Sequence, residues 1–208
     1  MRQRLPCAGC HAIEGAGGRI GPELTNVLTR RSASYVAAIV ADPQRVVPGT
    51  VMPRVPMTNE LRSLVVAYLT RGSPDVLSHD GPSDAIKPNV AAPPRDATVL
   101  YRRFCAPCHG ERGDGDGPNA QYLAVRPVRH SDAALMSTRT DARLFDAIFA
   151  GGYPLGKSSA MPAYGATLDR AEIHALVRYL RALCRCTPPA WSTDSRSPPL
   201  GSAVTRNR

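Results

Sequence analysis

Two stretches of this 208-residue chain carry residue types and spacing suited to one particular chemistry. Cys105-Ala106-Pro107-Cys108-His109 and Cys7-Ala8-Gly9-Cys10-His11 each place an imidazole directly after two thiols separated by two residues. That arrangement suits covalent haem attachment: both thiols reach the vinyl groups on one edge of a porphyrin, and the turn swings the imidazole under the iron. On this reading Cys7, Cys10, Cys105 and Cys108 anchor haem, and His11 and His109 are the proximal iron ligands. A lone Cys-x-x-Cys pair also reads as half of a zinc site or as a thioredoxin-like redox motif. Recurrence of the full five-residue pattern favours haem, and a four-cysteine zinc ribbon wants its two pairs much closer together.

The elements that must position these turns also occur twice. Each half runs from Cys-x-x-Cys-His to a Gly-Pro (Gly21-Pro22, Gly117-Pro118), a short helix, a Met-Pro (Met52-Pro53, Met161-Pro162) and an amphipathic helix containing Tyr-Leu (Tyr68-Leu69, Tyr179-Leu180). Such an order is an internal duplication. In the first half, Ser32 to Ala41 is predicted helical with Tyr35, Ala38 and Ile39 inward, stopped by Asp42-Pro43. Asn59 is expected to cap a helix burying Leu61, Leu64, Val65, Tyr68 and Leu69, ended by Gly72. In the second half, Asp96 caps a helix with Ala97, Leu100, Tyr101 and Phe104 on one face that runs into Cys105. Asp141 to Ala150 follows, with Leu144, Ile148 and Phe149 inward and Gly151-Gly152 as its stop. Asp169 and Glu172 resemble a capping box before a last helix carrying Ile173, Leu176, Val177, Leu180 and Leu183. The expected fold is all-α: a first domain over 1–72, a Pro-rich linker over 73–94, a second domain over 95–186 and a disordered tail over 187–208.

Composition supports a cofactor. Aromatics make up only 5% of the residues, and each half is too small for a generous side-chain core, so a haem would supply the missing apolar bulk. The formal charge is +9 and almost wholly arginine, since Lys87 and Lys157 are the only lysines. Four haem propionates would reduce it to about +5, a sign that suits an acidic redox partner. Nucleic acid is disfavoured because no basic run is interleaved with aromatics. No apolar run reaches membrane-spanning length. Nor does a secretory signal precede Cys7, although haem attachment of this kind is completed outside the bacterial cytoplasm. The true start is therefore expected upstream, and the location periplasmic.

The order of motifs resembles class I cytochrome c, a small all-α fold that wraps haem between helices, in two tandem copies. The resemblance implies two covalent haem c groups, each with a distal methionine from the loop before the last helix: Met52 and Met161. Met161 has Gly156, Lys157 and Tyr164 around it as in the family pattern. In the first half Met57 competes with Met52. Met161 lies 18 residues before Tyr179, against 16 for Met52 and 11 for Met57 before Tyr68, which favours Met52. Met136 lies too early in its half and reads as core packing. The resemblance also implies that the carbonyls of Pro22 and Pro118 accept hydrogen bonds from the proximal histidines. In the family a helix precedes the haem turn. Asp96 to Phe104 supplies it in the second half, whereas only six residues precede Cys7. Either an upstream helix is missing or the first half closes its core differently, leaving its haem the more exposed.

Of the remaining residues, His79, His130 and His174 take surface or supporting roles by default, with His130 a minor alternative as an axial ligand. Cys184 and Cys186 are so close that a bridge competes with free or intermolecular thiols. The functional expectation is a dihaem carrier of single electrons between periplasmic redox partners. Its rivals are a cytochrome subunit of a larger dehydrogenase or oxidase, and a dihaem peroxidase-like enzyme.

Overall fold

Capping chemistry sets where most of the helices begin. The computed structural model describes residues 6–71 and 95–192. The expected linker with His79 and Gly72, and the tail beyond Ser192, lie outside the described residues. In the first half the attachment turn α1 (Cys7–Cys10) leads into a hairpin of β1 (Ala12–Ile13) and β2 (Ala16–Gly17), with Ala12 opposite Gly17. Next comes α2 (Ala33–Ala41), where the Ser32 hydroxyl accepts from the Tyr35 N–H at 3.2 Å. The helix ends at Ala41 as expected, with Asp42 extended (φ −147°, ψ 88°), and Pro43 then opens a separate helical turn, α3 (Pro43–Val46), whose Arg45 N–H is taken by Asp42. A proline at the first helical position loses no bond that the helix would have used. The last helix of this half, α4 (Asn59–Leu69), is capped by Thr58 and not by Asn59, which is its first residue.

The buried faces differ from the expected ones by a small rotation. On α2 the core takes Ala33, Val36 and Val40, while Tyr35 and Ile39 are half-buried and Ala38 is exposed. On α4 it takes Val65, Val66 and Leu69, while Leu64 is 61% and Tyr68 42% exposed. The β-branched valines of both helices meet Ile13 and Val27 in one cluster. Periodicity identifies an apolar stripe, but the neighbouring helix decides which edge of it is covered.

The second half has the larger core. A continuous helical rod runs from α5 (Ala97–Leu100) through a π turn (Tyr101–Cys105) into α6 (Ala106–His109). Asp96 caps it as expected, accepting from the N–H groups of Thr98 and Val99. Then come α7 (Ala133–Ser137), α8 (Asp141–Ala150) and α9 (Arg170–Cys184). Phe145, rather than Phe149, joins Leu144 and Ile148 in the core; Phe149 is 40% exposed. Ile173, Leu176, Val177 and Leu180 of α9 are buried as expected. Tyr101 packs its ring 5.0 Å from that of Tyr179, tying the rod to α9. Tyr68 occupies the corresponding Tyr-Leu position in α4, and its exposure shows how much more of the second helix is covered. Arg181 fastens α9 to its neighbours by donating to the Met136 carbonyl at 2.8 Å and pairing with Asp141 at 2.8 Å.

Cys184 and Cys186 are disulfide-bonded. Their closeness in sequence is no obstacle, because Arg185 adopts a left-handed conformation (φ 50°) and returns Cys186 toward the end of α9.

The two halves pack directly on each other, with the methionine-bearing loops at the contact. Gly9 lies against Ala160, such that a Cβ there would fall 2.0 Å from the Ala160 carbonyl oxygen. Reciprocally, the Arg54 N–H donates to the Thr167 hydroxyl at 3.0 Å and Arg103 donates to the Thr50 carbonyl at 3.4 Å.

The capping box at the start of α9 is coupled to an ion pair. Asp169 accepts from the Glu172 N–H at 2.8 Å, Glu172 accepts from the Asp169 N–H at 3.1 Å, and Arg95 donates to Glu172 at 2.7 and 3.1 Å. Burial alone would raise the Glu172 carboxyl, but the Arg95 and Asp169 donors outweigh it and hold it below its ordinary value of 4.5. A depressed folded-state pKa stabilises above the unfolded value and is lost as pH falls below it. Glu172→Gln should therefore cost about 1–2 kcal/mol at pH 7. The difference from wild type should shrink as the pH falls below 4.5 and through the lowered folded-state value, measured by denaturant unfolding at pH 7 and across the acid range.

Candidate haem centres

Each attachment turn presents two thiols and an imidazole from one tight bend. Cys7, Cys10, Cys105 and Cys108 are unpaired. Burial pushes the Cys10 thiol up to about 12, helped by Cys108 and Cys7, and pushes Cys105 up to about 12, helped by Cys108. It raises Cys7 and Cys108 as well. A thioredoxin-like pair needs the opposite shift, since its attacking sulfur must ionise readily. Among the described residues no three or more His, Cys, Asp and Glu side chains converge as a metal cluster, which a zinc ribbon requires.

Both histidines are held through Nδ1. His11 Nδ1 lies 2.8 Å from the Pro22 carbonyl, as expected. A carbonyl can only accept, so Nδ1 carries the proton and Nε2 keeps its lone pair. Burial lowers the His11 pKa, which favours that neutral form. Gly21 completes the cradle: a Cβ there would sit 2.2 Å from His11 Cε1, so the ring has room only against bare backbone.

His109 is held in the same way but by a different residue. Its Nδ1 lies 2.9 Å from the Val128 carbonyl, which overturns the expected role of Pro118. The reason is local. Gly117 is tucked under the carbonyls of Ala106 and Pro107, the Asn119 N–H donates to the Pro107 carbonyl at 2.9 Å, and the Pro118 carbonyl accepts from the Gln121 side chain at 3.1 Å. The chain then makes a longer excursion and returns at Val128, directly after another proline, Pro127. That second proline was the available signal.

His130 lies beside His109. Its ring stacks on that of His109, with centroids 4.0 Å apart and planes within 13°. The Tyr101 hydroxyl donates to the Gly110 carbonyl and is 3.1 Å from His130 Nδ1, from which it can accept. These contacts make His130 a buttress for His109, in keeping with a supporting role. His174 sits exposed beside Phe145, in keeping with a surface role.

The methionine loops are held through their backbones. Gln44 donates to the carbonyls of Thr50 and Met52 at 2.9 and 3.2 Å, and the Met52 N–H donates to the Thr50 hydroxyl at 3.2 Å. The Met161 carbonyl accepts from the Gly152 N–H at 3.0 Å. Tyr164 is buried nearby, its hydroxyl donating to the Phe104 carbonyl at 2.9 Å. Met57 packs against the core of the first half and Met136 is wholly buried in that of the second. In each half the donor set fits a haem c: two protonated thiols, a neutral imidazole with Nε2 available, and a methionine on an anchored loop.

One polar residue at this site has no counterpart in the motif reading. Asn119 is 2% exposed and lies between the two attachment turns. Its partners in the first half are 100 and 110 residues away, a separation no local pattern encodes.

Known proteins resemble the halves separately. The family described as cytochrome c matches residues 5–72, and the family described as cytochrome c oxidase, cbb3-type, subunit III matches residues 92–180. The cytochrome c oxidase subunit 2 of Alkalihalophilus pseudofirmus is 39% identical over 72 residues, covering 30% of this chain and 21% of that protein. The chain thus spans about a fifth of that curated relative's length. A chain of the reducing HAO-like protein complex of Kuenenia stuttgartiensis superposes with a TM-score of 0.34 at 21% identity, covering 73% of this chain and 72% of that one. With a match of this kind on each half, the chain belongs to the cytochrome c family and consists of two tandem class I cytochrome c domains.

Proposed function

We propose that the protein carries single electrons between extracytoplasmic redox partners through two haem c groups, one in each of the domains 1–72 and 95–186. Cys7 and Cys10 hold the first and Cys105 and Cys108 the second; His11 with Met52, and His109 with Met161, are the axial pairs. When bound, the haem iron supplies a one-electron couple whose potential the methionine sulfur raises relative to a second imidazole. The supporting observation is that both imidazoles are locked through Nδ1 by backbone carbonyls, which aims Nε2 beside a pair of unpaired thiols in each half. Locking the ring also strengthens it as a donor and limits rearrangement when the oxidation state changes.

Met57 is engaged as core packing, which supports Met52 as the distal residue in the first half. With both axial positions taken there is no open coordination site, so the reading is of a carrier and not a peroxidase. The excess of arginine over acidic side chains suits an acidic partner. No helix among the described residues is long and apolar enough to cross a membrane. The periplasm is the compartment in which such haem attachment is completed.

A second reading has support of its own. The family matched by the second half is described as an oxidase subunit, and the curated relative is also an oxidase subunit. On that reading this chain is the cytochrome subunit of a larger oxidoreductase, with the same site chemistry; co-purification from the native host separates it from a free carrier.

Protein matured by haem-attachment machinery should gain the mass of two haems and show a visible spectrum with methionine-sulfur ligation in redox titration. Colourless or single-haem material overturns the reading. Met161→Ala and Met52→Ala should each remove about half of the ferric sulfur-to-iron charge-transfer band and open one iron to carbon monoxide in the ferrous state. Met161→His should lower one potential within the roughly 0.8 V span that axial ligands command. Met57→Ala should leave the band and both potentials unchanged.

A further inference from the structure

Asn119 is tied to both attachment turns at once. Its backbone N–H donates at 2.9 Å to the carbonyl of Pro107, which lies between Cys105 and Cys108. Its side-chain Nδ2 donates at 2.7 Å to the carbonyl of Gly9, which lies between Cys7 and Cys10, and at 3.2 Å to the Cys108 sulfur. Its Oδ1 accepts from the Arg19 N–H at 2.7 Å. The carboxamide thus uses both donors and its acceptor, and it is 2% exposed. Bare backbone makes room for it, since a Cβ at Gly18 would fall 2.9 Å from Oδ1. A buried amide with every partner satisfied holds one arrangement, because any slippage leaves polar groups dry and unpaired. A sulfur carrying two carbon substituents still accepts weakly, so thioether formation leaves Cys108 able to take this contact.

We propose that Asn119 is a positioning residue that latches the two Cys-x-x-Cys-His turns together and so makes the two haem sites one electronically coupled unit. The proposal rests on the two-haem reading above. It adds that this one side chain fixes the mutual placement of the two turns beyond what the rest of the contact between the halves provides.

The test uses the matured, full-length protein and three variants, each first weighed for haem content. Wild type should show a two-lobed circular dichroism couplet in the Soret region, the mark of two haems at fixed separation and angle. Asn119→Ala should shrink the couplet and speed amide exchange at Arg19 by roughly 5- to 150-fold, the usual range for one coupling contact. Asn119→Asp is nearly the same shape and keeps an acceptor for Arg19, but it sets an oxygen against the Gly9 carbonyl. It should shrink the couplet too, which covers the case in which the alanine variant fails to fold. Thr167→Val removes a hydrogen bond between the halves away from the turns and should leave the couplet intact. A couplet unaltered in both Asn119 variants, or equally reduced in Thr167→Val, overturns the latch while leaving the two-haem reading standing. A wild type with fewer than two haems overturns both.

Discussion

An imidazole that is to serve iron must offer one nitrogen and have the other occupied. This constraint organises both halves, because the acceptor for Nδ1 is in each case a backbone carbonyl brought back from downstream: Pro22 for His11 and Val128 for His109. The returning loop must pass close to the ring, which is why Gly21 has no room for a side chain beside His11. In the second half the longer loop brings His130 along with it, against Tyr101 of the helical rod. There the histidine is held by a carbonyl on its edge and an aromatic stack on its face.

The halves meet this constraint with different amounts of support. The second has a helical rod before its attachment turn and a core reaching from Leu100 to Cys184. The first relies on a smaller cluster dominated by valines, and on its contact with the second. That contact is reciprocal: Ala160, next to Met161, rests on Gly9, while Thr50 and Arg54, on either side of Met52, reach Arg103 and Thr167. Each domain therefore helps to shape the methionine-bearing loop of the other, and neither loop is wholly the product of its own half.

What was legible in the sequence follows from how local the governing physics is. Caps such as Asp96 and Asp169 act within three residues and are legible in the sequence, whereas Ser32, expected as the first residue of its helix, is the cap of one that begins at Ala33. Thr58 was displaced by Asn59 because both are competent caps and only backbone geometry separates them. The inward edges of α2, α4 and α8 were set by packing partners, so Tyr35, Leu64 and Phe149 changed places with Val36, Val66 and Phe145. The family resemblance points to Pro22 and Pro118 alike, but the loop after Pro118 is longer, and loop length decides which carbonyl returns. The Cys184–Cys186 bridge depended on the left-handed turn at Arg185, which nothing in an arginine announces. Asn119 was invisible because its meaning lies in the other half of the chain.

The π turn at Tyr101–Cys105 settles a conflict of register. Leu100, Tyr101 and Phe104 are drawn into the core against α9. In an uninterrupted α-helix Cys108 would follow Tyr101 and Phe104 onto that same face and be sealed inside with them. The widened turn accommodates one additional residue, which swings everything after it by about 100°. One rod can then feed the core with Leu100, Tyr101 and Phe104 and carry Cys108 off that face. The segment should accordingly accept many exchanges of side chain but no change in length: the loss of a single residue, whatever its identity, would turn Cys108 inward.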